Sequence, residues 1–224
     1  MRYFLEACCT SAADAVTAQR AGARRIELCS RLDIGGVTPS AELIRATLFT
    51  LAEDALSTAP IPVNVLVRPR GGDFVYSEDE IQQTIDGIEM CKQLIVRDSS
   101  GMEHRVNGVV VGALKADGGI DMAAMRRLVA AARPLQVTFH RAFDECSDVE
   151  SCLEDVIALG CGRLLTSGHE PDAFAGRFTL ARLVRQAAGR IVILAGCGVR
   201  PHNIDAIASA SSAPEFHSST LTGW

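Results

Sequence analysis

Short runs of β-branched and aliphatic residues recur about every 30 residues along the chain, the length of one strand, its helix and two loops. They are Tyr3–Cys8, Arg24–Cys29, Pro62–Arg68, Gly108–Ala113, Leu135–His140, Arg163–Ser167, Arg190–Ala195 and Pro214–His217. The segments between them carry helix punctuation. Ser11-x-x-Asp14 opens an Ala-rich stretch that Gly22 closes, and Thr38-Pro39 offers a capping hydroxyl before a proline. Ser77-x-x-Glu80 and Ser147-x-x-Glu150 read as capping boxes, while Gly160 and Gly189 close the fifth and sixth helices. Eight strands alternating with seven helices imply an α/β fold with a parallel sheet. A closed TIM-type (β/α)8 barrel, one domain over residues 1–224, is its simplest form. An open doubly wound sheet would carry a Gly-rich loop after its first strand, where Cys8-Cys9-Thr10 stands instead.

Two irregularities interrupt the pattern. The polar stretch Arg97-Asp98-Ser99-Ser100-Gly101 is expected to jut from the barrel. No eighth helix follows the last strand, which suggests a truncated chain or a seam that a partner subunit covers.

Strand parity separates the lumen from the helix-facing side. Ile26, Leu28, Val63, Val65 and Val67 belong outside, against helices. That turns Glu6, Cys8, Glu27, Cys29, Asn64 and Arg68 inward, together with Thr138, His140, Glu215 and His217. Such barrels normally fill with Val, Ile and Leu, and buried polar groups must find partners. A ligand at the C-terminal mouth is one source of partners.

Composition narrows the choice. With 22 basic and 27 acidic residues the net charge is −5, which leaves no cationic excess for a general nucleic-acid binder. Hydrophobic residues make up 48% of the chain, enough for a core without metal or disulfide staples. No run of 18 apolar residues occurs, and Glu6 breaks any export signal, so a cytoplasmic protein with its eight cysteines as thiols is expected.

Several constellations carry chemistry. Cys8 and Cys29 end neighbouring strands with matching parity, and two thiols so placed either hold a soft ion such as Cu(I) or pack as apolar groups. Arg68-Pro69-Arg70-Gly71-Gly72-Asp73-Phe74 reads as an anion clamp, or as internal pairs of Arg68 with Glu27 and Arg70 with Asp73. His140, followed by Arg141 and Asp144, relays a proton with Glu27 or is satisfied by neighbouring carboxylates. Ser167-Gly168 and Gly196-Cys197-Gly198 end the sixth and seventh strands, where free N–H groups bind phosphate or form ordinary turns.

These residues together resemble the CutC copper homeostasis family. The resemblance rests on Leu-Glu-Ala-Cys8, Arg-Ile-Glu-Leu-Cys29, Gly35-Gly36-Val-Thr-Pro39-Ser40, Arg-Pro-Arg-Gly-Gly-Asp-Phe74, Val-Thr-Phe-His-Arg-Ala-Phe-Asp144, Leu-Thr-Ser-Gly168 and Glu-Phe-His217. It implies a cytoplasmic TIM-type barrel, a homo-oligomer (dimer or tetramer), with Cys8 and Cys29 as Cu(I) ligands. The sequence departs from the family pattern at Ala195-Gly196-Cys197-Gly198, at the longer Arg97–Arg105 insertion and after His217. Cys197 there adds a third soft ligand or narrows the mouth.

Three readings follow. The first is Cu(I) binding by Cys8 and Cys29, with Glu6 and Glu27 tuning the thiols and no organic cofactor. The second is an enzyme for a small phosphate or carboxylate metabolite. Glu27, His140 and Asp144 then supply acid–base chemistry, and Arg68, Arg70, Asp73, Arg141, Ser167, Gly168, Gly196, Gly198 and His217 line the anion site. In the third, the lumen is a self-satisfied ion network and the open seam drives oligomer formation.

Overall fold

The computed structural model describes residues 2–54, 59–220 and 223. Eight parallel strands close into a barrel: β1 (Phe4–Cys9), β2 (Arg25–Leu28), β3 (Val63–Leu66), β6 (Gly108–Val111), β7 (Gln136–Phe139), β8 (Arg163–Thr166), β9 (Val192–Ala195) and β10 (Glu215–Ser218). A hairpin of β4 (Val96–Arg97) and β5 (Glu103–His104) stands apart from it. The helices between strands are α1 (Ala12–Arg20), α2 (Ala41–Glu53), α3 (Glu78–Gln93), α4 (Met122–Ala132), α5 (Val149–Ala158), α6 (Arg177–Ala187) and α7 (Ile204–Ser211). None of the described helices is long and apolar enough to cross a membrane.

The periodicity that predicts the elements also predicts their packing. Val63, Val65 and Val67 join Ile26 and Leu28 in the main core between barrel and helices. A second, smaller cluster of Cys8, Cys29, Leu66 and Val110 fills part of the lumen. Capping follows the sequence at α1 and α3, where Ser11 accepts from the Asp14 amide and Ser77 forms a full box with Glu80. It departs at α2 and α5, whose caps are Ser40 and Asp148. Thr38 is occupied elsewhere, because its hydroxyl donates to the Arg68 carbonyl and accepts from the Arg68 amide. That exchange ties the β2–α2 loop to the end of β3.

The Arg97–Gly101 stretch lies in the β4–β5 hairpin, outside the barrel sheet and anchored to α2. Ser99 donates from both amide and hydroxyl to Glu53 at the end of α2. Helices of a βα unit end at the N-terminal face of the barrel, so the hairpin sits opposite the mouth.

The seam between the first and last strands is closed among the described residues. β1 and β10 pair in register from Phe4↔Glu215 to Ala7↔Ser218. Their outward residues Leu5, Ala7, Cys9 and Phe216 are each 1% exposed in the single chain, and the Tyr3 ring packs edge-on against Phe216. Among the described residues, the expected open groove between the first and last strands is therefore absent.

Candidate functional site at the barrel mouth

Inside the barrel, polar residues are layered along its axis. Deepest is an ion network. Arg25 on β2 pairs with Glu6 on β1 and, at 2.5 Å, with Glu215 on β10. Arg163 on β8 reaches the same Glu215 at 3.0 Å and Gln136 at 2.6 Å. Burial pushes the Glu6 carboxyl up, but hydrogen bonding to His217 and the charge of Arg25 outweigh it and hold it at about 2. This part of the lumen satisfies itself.

Above it lies a cavity of about 510 Å³ at the C-terminal ends of the strands. Its β1–β2–β10 wall carries Cys8, Glu27 and His217. The Cys8 and Cys29 sulfurs are 3.8 Å apart, with Cys29 tucked behind Cys8 and 1% exposed. One ligand atom each from Cys8, Glu27 and His217 can be chosen so that all lie within 4.8 Å of one another. His217 Nδ1 is 2.8 Å from Glu6 Oε1, which fixes the ring and leaves Nε2 for the cavity.

These groups perturb one another. The bond to Cys29, burial and the charge of Glu27 push the Cys8 thiol well up, so the unloaded Cys8 is protonated. Burial raises Glu27 to about 7; Glu6 adds to this, while His217 and Arg25 oppose it. Burial disfavours a charged His217, but Glu27 and Glu6 prevail and raise its pKa. Glu27 Oε2 has no hydrogen-bond partner.

The opposite wall is built on β3, β6 and β7. Arg68 is 4% exposed and makes no ion pair with Glu27; it donates instead to the carbonyls of Gly35, Gly36 and Gly72. Gly35 and Gly36, at φ +85° and +89°, supply the left-handed turn that directs two of these carbonyls inward. His140, at the end of β7, sits where Gly112 has no side chain, since a Cβ there would lie 2.6 Å from the imidazole. The Phe74 ring touches both, 4.5 Å from the Arg68 guanidinium carbon and 4.9 Å from the His140 ring centroid.

Other candidates have different employment. Arg70 pairs with Asp73 at 2.9 Å and Glu80 at 2.5 Å, outside the cavity lining. Asp144 holds Arg141 at 2.9 Å and accepts from the Thr166 hydroxyl and the Ser167 amide, and the Gly168 amide donates to Thr166. The amides expected to be free for phosphate after β8 are thus already used. Gly196 lies against Leu165 and His217, while Arg141, Gly198 and Cys197 line the mouth. The Cys197 thiol turns to the Pro171 carbonyl at 3.2 Å. Reading His217 only as an anion contact missed its place beside Cys8; inward parity next to Glu6 was the available signal.

Residues 3–222 match the CutC family. The chain belongs to that family. It is 47% identical to the family protein CutC of Parabacteroides distasonis over 98% of its own length and 83% of the relative's. With the family protein CutC of Chromobacterium violaceum the identity is 44%, over 98% of this chain and 81% of that one. Among solved structures, a CutC protein of Streptococcus agalactiae, described as a copper homeostasis protein, superposes with a TM-score of 0.87. That match covers 98% of this chain and all of the other at 29% identity. For this CutC family member, sequence kinship and barrel architecture agree.

Proposed function

We propose that this CutC-family barrel holds one Cu(I) ion at Cys8 and Cys29 and serves copper homeostasis in the reducing cytoplasm. The observation that carries the reading is the pair of sulfurs 3.8 Å apart at the cavity edge. Thiolates are the soft ligands that favour Cu(I) over harder cations. At a metal–sulfur length of about 2.3 Å, as for zinc thiolates, sulfurs at that separation embrace an ion at a bent angle. A bent pair leaves one side open to a third donor, and the nearness of His217 to Cys8, within 4.8 Å by ligand atoms, supports that role for it. Its other nitrogen rests on Glu6, the carboxylate–histidine arrangement that orients metal ligands. Because the unloaded Cys8 thiol is protonated, binding expels its proton and tightens as pH rises.

An anaerobic Cu(I) competition titration against a chromogenic chelator tests this. Wild type is expected to bind one tight equivalent, lost in both Cys8→Ser and Cys29→Ser and weakened in His217→Gln. Folded cysteine variants with wild-type affinity would remove the site. The homo-oligomer that the resemblance implies is part of the same reading. Light scattering at micromolar concentration is expected to give a dimer or tetramer mass, and a monomer would strike it out.

A further inference from the structure

The thiol pair uses only one wall of the cavity. The facing wall contains two buried hydrogen-bond donors with nothing to donate to. Arg68 Nε is one of them. Its two terminal nitrogens are spent on the Gly35, Gly36 and Gly72 carbonyls, which fix the fork without cancelling its charge. The Tyr76 hydroxyl is near enough for hydrogen bonding to Arg68 to act on it, but the contact lacks full hydrogen-bond geometry and brings no counter-charge. Among the described residues no carboxylate stands within ion-pair distance of Arg68. A buried guanidinium with no counter-charge is costly unless an anion joins it.

The second donor follows from the tautomer of His140. Its Nδ1 accepts from the Ala142 amide at 3.2 Å, so the ring proton resides on Nε2, and Nε2 has no partner. Burial and the charge of Arg68 hold this imidazole at about 3, so it is a neutral donor at working pH. Phe74 packs against both side chains and holds them at one side of the cavity. Leu66, Leu165 and Ile34 supply apolar lining nearby.

We propose that Arg68 and His140 form a binding site for a small monocarboxylate, with Phe74, Leu66 and Leu165 receiving its apolar body. The charge selects the class. One permanent cation beside one neutral donor balances a single negative charge. A phosphate dianion would need further cation; of the other arginines on the lining, Arg141 is held by Asp144, and Arg200, in the β9–α7 loop, donates to the Val199 carbonyl. The cavity volume is that of a metabolite site rather than of an ion-sized hole. The site is distinct from the thiol pair and does not depend on copper.

The test uses metal-free wild-type protein, so its result is independent of the thiols. Butyrate, benzoate and inorganic phosphate are titrated at constant ionic strength while the His140 Nε2–H resonance is followed by NMR. The carboxylates are expected to saturate in the millimolar range or below and to shift that resonance, with phosphate at least tenfold weaker. Arg68→Gln, which keeps donors for the surrounding carbonyls, and His140→Phe are each expected to weaken carboxylate binding at least tenfold. A His140 signal indifferent to carboxylates, or tighter binding of phosphate, overturns the proposal. So does undiminished carboxylate binding in either folded variant.

Discussion

His140 shows how much one residue's surroundings can decide. Its folded pKa of about 3 lies below the ordinary 6.5 because burial and Arg68 both oppose a charge on the ring. Between those values the unfolded chain binds a proton that the folded chain does not. The stability tied to the neutral ring is therefore complete above pH 6.5 and is lost progressively as pH falls towards 3. Glu27 shifts in the opposite direction, but it is present in both wild type and a His140→Gln variant, so the difference between them isolates His140. From pH 7.5 to 4.5, wild type should lose about 2–3 kcal/mol relative to that variant in urea unfolding. A difference that stays constant across that range would mean His140 is free to charge in the fold.

At the scale of elements, the eight barrel strands and the direction of their side chains were legible because each strand has one face against helices. Val63, Val65 and Val67 in the core fix Asn64 and Arg68 in the lumen by alternation alone. The rule fails where the strand stops. Arg70 and Asp73 lie in the loop beyond β3, and their partners are set by Glu80 on α3, which no alternation reaches. The same limit hid the fate of the amides after β8, which Asp144 claims from the β7–α5 connection. Glycine just past a strand was also readable only in part. Gly112 has an ordinary backbone conformation, so the turn rules say nothing of it; its reason is the imidazole against it. Gly112→Ala is thus a purely steric test of how strands shape the cavity. It should cost about 1–3 kcal/mol in urea unfolding and displace the His140 ring signals. Unchanged stability together with unchanged ring signals would show that the strand leaves more room than the 2.6 Å approach implies.

For the whole molecule, the decisive step is closure of β1 against β10, strands separated by nearly the full chain. Arg25 stands on β2 and reaches Glu6 on β1 and Glu215 on β10, so one guanidinium spans the seam. Arg163 extends the tie from Glu215 to β8 and, through Gln136, to β7. Five of the eight strands meet in this network, and Arg25 is 3% exposed at its centre. Removing it leaves buried carboxylates, which costs more than the pair ever contributed. Arg25→Met should destabilise the fold by about 3–5 kcal/mol. The double variant Arg25→Met/Glu215→Gln removes one of the two carboxylate charges that Arg25 served, while an amide oxygen at that position still accepts from Arg163 and Glu6 keeps His217. It should therefore recover part of the loss, a coupling of about 1–3 kcal/mol. Because the network joins the two ends of the chain, amide exchange in β1 and β10 should accelerate together in Arg25→Met, by the same factor as the global unfolding constant. If β10 alone exchanged faster, the last strand would be fraying locally, and closure would rest on backbone pairing and the Tyr3–Phe216 contact instead.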